Sequence, residues 1–284
     1  MHAPLSPTTA VDQIRFTVVD VETTGLHPAA GDRVCEIALL QIQGGRELAR
    51  LESLVNPQRP VRPEAMQVNG IRDHMLTNAP VFPAVLAPVQ ALLKESVLVA
   101  HNAPFDIGFL RHEFALAGQA FAPPPVVDTL ALAQAHYQFT HNSLEAIAST
   151  LGLPSTVRHR AMADVLTTWQ VLQRFIDHLQ QQGPVVLAHL MYPADRRPVN
   201  ELVNLTSTLQ EALQTGQLLH LQYQASNAET TSRVVQPLEM CYERGRGYLR
   251  AFCHLRQEER NFRFDRILGL ALVSEAQPST SAEE

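Results

Sequence analysis

Three apolar or alternating runs follow one another near the start of the chain, RFTVVDV, RVCEIALLQIQ and RELARLESLVN, separated by turns containing Gly and Pro. Such runs predict strands, and the short breaks between them predict an antiparallel meander. VLVAHN is a fourth apolar run. It leads into a helical segment, PFDIGFLRHEFALAG, with Pro104 in the first turn and Gly118 near its end. PPVVDT supplies a fifth short strand. In HNSLEAIASTLG, Asn142 and Glu145 stand at capping-box spacing. The strongest helical pattern runs from about Arg160 to Gln181, where Val165, Leu166, Trp169, Leu172, Phe175, Ile176 and Leu179 recur at three and four residues. Strands followed by alternating helices and strands predict an α/β layered domain over 14–182.

The pattern then changes. Gly183, Pro184, Pro193 and Pro198 mark 183–200 as a linker, and 1–13 reads as a flexible lead-in. After a predicted helix from Leu202 to Thr215, five strand-like runs follow at close spacing: QLLHLQYQ, TSRVVQPLEMCYE, GYLRAFCHLR, ERNFRFDRI and LGLALVSE. They predict a small β-rich barrel or sheet over 201–275, and the Ser/Glu-rich stretch 276–284 reads as a disordered tail.

A length of 284 residues suits two domains, and an apolar fraction of 45% is ordinary for chains that bury a core. The net charge of −6 opposes a polyanion at long range, so any nucleic-acid binding must come from local features. The first residues lack a basic and apolar leader, and no run approaches the roughly 18 apolar residues of a membrane span. A cytoplasmic location with no membrane partner is expected. Cys35, Cys241 and Cys253 are odd in number and form no CxxC pair, which predicts reduced thiols.

Candidate chemistry lies in five residues of the first domain. Asp20 and Glu22 in RFTVVDVETTGL are two apart on a predicted strand and therefore face the same way. Asp106 in LVAHNAPFDIGFL sits in the first turn of its helix, where the dipole also favours a carboxylate. Asp164 in RHRAMADVLTTW borders the apolar stripe that begins at Val165, and His159 precedes it by five residues. Four carboxylates brought together would repel one another unless cations neutralised them, which predicts a divalent-metal site with His159 as a candidate proton acceptor.

DVETTGL, AHNAPFDIGFL and HRAMAD resemble the three exonuclease motifs of the DEDDh family, the group that contains the proofreading epsilon subunit of bacterial replicative polymerases. The resemblance covers about residues 14 to 178. It implies a ribonuclease H-like exonuclease domain, with a mixed sheet flanked by helices, and 3′ to 5′ exonuclease activity. It also implies that Asp20, Glu22, Asp106 and Asp164 hold two Mg²⁺ or Mn²⁺ ions and that His159 is the general base. By the same resemblance Thr23, Thr24, Gly25 and Leu26 embrace the 3′-terminal nucleotide; for Thr24 a plain strand-ending turn is an equal alternative. Phe105 could stack on the terminal base or pack in the core. His101 and Asn102 are expected to order a turn, and Asp128 to cap a helix. Asn69 stands where the family commonly has histidine.

Residues of about 203 to 273 resemble a WYL domain, a small Sm-like β-barrel module, through LLHLQYQ, SRVVQPLEM, RGYLRAF and NFRFDRI. Gly247 replaces the tryptophan of the name-giving triplet, with Tyr248 and Leu249 retained. From Thr230 to Leu270 eight arginines face five acids, a local +3 in an acidic chain. Arg233, Tyr248, Arg263 and Arg266 are the candidates for binding single-stranded nucleic acid or another anionic ligand. An Arg-rich solvated face over an aromatic core is the alternative. The expected substrate is DNA, single-stranded or frayed. RNA, or a regulatory role in which the fold only binds nucleic acid, are the competing expectations.

Overall fold

The computed structural model describes residues 5–154, 160–193, 195, 197, 199–226, 228–243 and 246–273. The chain divides into two units, 1–194 and 195–284. His159 and the expected disordered tail lie outside the described residues.

The predicted meander forms as β1 (Arg15–Thr23), β2 (Val34–Gln43) and β3 (Arg46–Leu54). Three helices that the apolar pattern did not resolve follow: α1 (Pro63–Asn69), α2 (Asp73–Leu76) and α3 (Phe82–Leu93). Proline explains why α1 and α3 were hidden, and α2 is a single turn of four residues. Pro63 and Pro83 occupy first turns, where no backbone donor is needed, but Pro88 lies inside α3 and disguises it as loop. β4 (Val97–Ala100), α4 (Ala103–Leu116), β5 (Val126–Asp128), α5 (Thr129–His136), α6 (Leu144–Thr150), α7 (Ala161–Gln180) and α8 (Leu187–Met191) complete the unit.

The strands join in the order β3-β2-β1-β4-β5. β2 is antiparallel to β1 and β3, whereas β4 runs parallel to β1 and β5 parallel to β4. On one face Phe16 and Val18 pack against α7, with Phe16 and Trp169 rings 5.9 Å apart. Val165, Leu172 and Phe175 are fully enclosed there, each burial contributing about 1.5–3 kcal/mol. α3 and α4 cover the other face, where the Thr17 hydroxyl donates to the Leu92 carbonyl at 2.7 Å. Because β1 alternates, Asp20 and Glu22 share the α7 face with Phe16 and Val18.

Local corrections follow from backbone pairing. The expected flexible lead-in and linker are tied together across residues 5–13 and 183–193: Val11 N–H donates to Val185 O, and Leu187 N–H to Thr9 O. Leu187 and Leu190 join the main core. Ser143, rather than Asn142, caps α6 by accepting from Ala146 N–H at 3.3 Å.

In the second unit α9 (Val199–Thr215) precedes β6 (Leu219–Gln224), β7 (Thr230–Glu243), β8 (Arg246–Cys253), β9 (Glu258–Arg263) and β10 (Ile267–Leu272). They form one antiparallel sheet of order β10-β6-β7-β8-β9, with α9 against β7 and β10. Among the described residues no ladder joins β9 to β10, so the expected closed barrel is an open sheet. It is not flat. The edges of a flat five-stranded sheet lie about 19 Å apart, whereas the link from Arg263 to Ile267 spans at most about 14 Å. The three-residue 3₁₀ turn Phe264–Arg266 occupies that link and leaves the two edges unpaired.

Candidate active site

β1 delivers Asp20 and Glu22 from its last turn of pleat, and the first turn of α7 delivers Asp164. One carboxylate oxygen from each of the three lies within 4.8 Å of the others. Asp106, in the first turn of α4, is 3% exposed, and its Oδ1 accepts the Val21 N–H at 3.1 Å between the two strand carboxylates. Its backbone bond anchors it while its charge reaches Asp20.

Burial pushes the Asp20 carboxyl well above the ordinary carboxylate range, and the charges of Asp106, Glu22, Asp164 and Glu36 push it further. Burial likewise raises Glu22 to about 7; Asp164 and Glu36 add to this, while a hydrogen bond from Asn69 and the charge of Arg160 oppose it. Asp106 is raised by burial against the pull of the Val21 bond. Such a cluster of hard oxygen donors suits Mg²⁺ or Mn²⁺, because a divalent cation would relieve the repulsion that these protein groups offset only in part. The fit is chemical as well as spatial.

The loop after β1 is built with equal care. Thr23 donates its hydroxyl to the Gly25 carbonyl at 2.6 Å. Thr24, fully buried, donates its N–H to the Arg33 carbonyl, accepts the Arg33 N–H on its hydroxyl at 3.1 Å and accepts Arg62 N–H on its carbonyl. Its polar groups therefore serve the turn. Leu26 is 69% exposed beside them. Asp32, buried under the loop, accepts from His27 N–H and Arg62 Nε; burial pushes its carboxyl up, but these bonds and the charges of Arg62 and Arg59 hold it below the ordinary range. A Cβ on Gly25 would lie 2.4 Å from Asp32 Oδ2. Gly25→Ala is therefore expected to destabilise the protein by about 1–3 kcal/mol in urea unfolding. An unchanged midpoint would mean that Asp32 can move aside.

Phe105 is half-buried, its ring 5.0 Å from that of Phe109. Asp128 caps α5 through Leu130 N–H and also accepts Asn102 N–H, which holds Asn102 in the left-handed region at φ 67°. His101 bridges Thr129 and the Asn142 carbonyl, and burial lowers its pKa. Asn69 is buried, with Nδ2 3.3 Å from the Thr23 carbonyl. The pattern reading left it outside the site, yet it holds the loop from below.

Glu36 and Arg160 were also missed. Glu36 is 1% exposed in an otherwise apolar strand and pairs with Arg160, with Nη2 to Oε1 at 2.6 Å. A carboxylate inside a run such as RVCEIALL is a readable signal, since a buried charge requires a partner.

In the second unit the accessory candidates separate. Tyr248 and Arg263 are opposite one another on β8 and β9 and share a face. Arg263 is held by Asp265, and Arg266 is half-exposed. Arg233 points to the other face, 8% exposed, bonded to Thr231 and 5.9 Å from the Phe262 ring centroid.

Comparison with known proteins agrees with this geometry. The family model for Exonuclease matches residues 17–172, and that for the WYL domain matches 204–272. The chain is 37% identical over 180 residues to a DNA polymerase III subunit epsilon-like protein of Rhodobacter capsulatus, covering 62% of this chain and 25% of that one. It is 32% identical to the DNA polymerase III subunit epsilon of Treponema pallidum, covering 67% and 90%. Two PolC-type relatives are matched over only 14% and 12% of their lengths, so most of the first relatives extends beyond the shared region. A solved structure of exonuclease X in complex with 5′ overhanging duplex DNA superposes with a TM-score of 0.50 at 25% identity, covering 63% of this chain and 98% of that one. A strand-borne acidic pair and helix-borne acids from α4 and α7 thus converge with the family model: the chain belongs to the exonuclease family and continues into a WYL domain.

Proposed function

We propose that the chain hydrolyses terminal phosphodiesters at the 3′ end of DNA, single-stranded or frayed, releasing nucleoside 5′-monophosphates. The observation that carries this is the approach of Asp20, Glu22 and Asp164 oxygens to within 4.8 Å, in surroundings that raise the neighbouring carboxyls. Asp20, Glu22, Asp106 and Asp164 would hold two Mg²⁺ or Mn²⁺ ions, whose chemistry is to polarise the scissile phosphate and neutralise its developing charge. The exposed Leu26 and the half-buried Phe105 present apolar surface to the terminal base, which tolerates any sequence. His159 takes the proton from the attacking water. The preference for DNA follows the relatives named as DNA polymerase III subunits.

The test uses 5′-labelled single-stranded DNA, duplex DNA and RNA with Mg²⁺, Mn²⁺ or chelator. A ladder shortening from the 3′ end, present with metal and lost with chelator, is expected on the single strand. Intact label on every substrate would overturn the activity, and shortening of RNA alone would overturn the sugar.

The WYL unit supplies a second grip in this reading. Tyr248, Arg263 and Arg266 are its contacts, and Arg233 serves the core behind them. Replacing Arg263 and Arg266 together by Ala should flatten the dependence of log K for single-stranded DNA on log salt by about 1.4, since each lost phosphate contact removes about 0.7. An unchanged slope in a filter-binding titration would leave these arginines as scaffold.

A further inference from the structure

We propose that Glu36 and Arg160 form a positioning latch: an ion pair, built on the buried Glu36, that clamps the start of α7, and with it Asp164, to the strand pair carrying Glu22. The inference rests on the hydrolytic reading above.

Glu36 stands directly opposite Glu22 in the β1–β2 register and shares its face. Both Glu36 oxygens are engaged. Arg160 Nε lies 3.0 Å from each, Nη2 lies 2.6 Å from Oε1, and Ala161 N–H donates to Oε2 at 3.0 Å. Forked, charge-assisted bonds of this kind fix orientation as well as distance.

The helix needs this help. Arg160 is the N-cap residue of α7, and it has no side-chain oxygen with which to satisfy the first N–H groups. Glu36 supplies that oxygen from 125 residues away in sequence, and its charge also suits the positive end of the helix. One turn on, Asp164 N–H donates to the Arg160 carbonyl at 3.1 Å. Asp164 therefore hangs from a residue whose guanidinium is bolted to the partner strand of Glu22. A freed start to α7 would let one carboxylate drift from the other two. Displacement of about 1 Å at a reacting centre can cost about 100-fold in rate.

The pair also explains a charge arrangement. A bare carboxylate facing Glu22 would add to the repulsion in the site, so Arg160 both ties Glu36 down and offsets it.

The experiment compares the full chain with Glu36→Gln, Arg160→Gln and the double variant, measuring kcat and KM on 5′-labelled single-stranded DNA, Mn²⁺ affinity by calorimetry, and Tm. Arg160→Gln should lose about 100-fold in kcat with KM within about 3-fold. Its Mn²⁺ affinity should fall about 10-fold. Glu36→Gln keeps an acceptor for Ala161 and should lose about 10-fold in kcat. The double variant should recover at least about 10-fold over Arg160→Gln, because no unpaired buried carboxylate remains. Parent-like kcat and Mn²⁺ affinity in Arg160→Gln, or losses that multiply in the double variant, would overturn the latch.

If Arg160→Gln does not fold, Arg160→Lys keeps the charge but not the fork, and a fall in kcat of about 10-fold is expected; parent-like kinetics would again overturn it. Absence of metal-dependent hydrolysis in the parent would defeat the hydrolytic reading instead. The Mn²⁺ titration across the same variants would still decide the latch.

Discussion

Asp20→Asn is expected to abolish hydrolysis at the 3′ end while making the metal-free protein more stable. The first effect follows from the site's need for anionic oxygen. An amide of the same shape offers a neutral acceptor, and losing several kcal/mol of charge stabilisation corresponds to about three to four powers of ten in rate. The second effect runs against the usual outcome of substituting a half-buried residue. Without metal, Asp20 is surrounded by Asp106, Glu22, Asp164 and Glu36, and burial already opposes its ionisation. Removing one charge relieves that repulsion. A gain of about 1 kcal/mol would raise Tm in chelator by about 2–4 °C. A lower Tm in chelator would show that the Asp20 charge is compensated by protein groups, and retained turnover would remove it from the reaction.

The same electrostatics set a pH dependence. Glu22 is raised from 4.5 to about 7 in the folded protein, so the native state binds its proton more tightly than the unfolded chain does. That contribution to stability is fully present below about pH 4.5 and is lost as pH rises through about 7. Thermal melts in chelator should therefore fall across this window. Saturating Mg²⁺ should flatten the slope, because the cation takes over the proton's role of neutralising the cluster. An equal slope with and without metal would place the ion elsewhere.

Period and spacing disclosed the frame of the site because its key members obey short-range rules. Asp20 and Glu22 share a face by strand alternation, and Asp164 lies at the edge of a helical stripe that is buried against β1 and β2. Asp128 was readable as a cap for the same reason. What stayed hidden depends on distant partners. Glu36 meets Arg160 across 124 residues, and Arg33 meets Glu113 across 80. Neither pairing leaves a local trace beyond a charge in an apolar run.

The second unit shows the complementary limit. Composition gave an Arg-rich stretch, but strand alternation sends Arg233 inward and Arg263 outward. A stripe on paper became two faces. Barrel closure was equally invisible, since it depends on whether β9 and β10 meet, and the link at Phe264–Arg266 leaves them unpaired. At the other end, residues 7–11 found partners at 185–188, a pairing that no run of apolar residues announces.

His159→Ala should separate proton chemistry from metal binding. The carboxylates make poor acceptors for the water's proton: Asp20, Glu22 and Asp164 converge on one point, Asp106 is tied to Val21, and protonating any of them would weaken the donor set. A base must come from outside that set, and an imidazole with an ordinary pKa of about 6.5 is suited to neutral pH. The variant should lose about 100- to 10,000-fold in kcat. Its Mn²⁺ affinity should remain within about 3-fold of the parent, well short of the loss expected for a ligand. Two further readings distinguish this role from that of the adjacent Arg160. Added imidazole should restore part of the rate to His159→Ala but none to Arg160→Gln, because a missing base can be replaced from solution and a displaced helix start cannot. The rise of kcat/KM with pH near neutrality should vanish in the first variant and persist in the second. Equal loss of Mn²⁺ from His159→Ala and Asp20→Asn would instead make His159 part of the metal site and return the proton to an unassigned group.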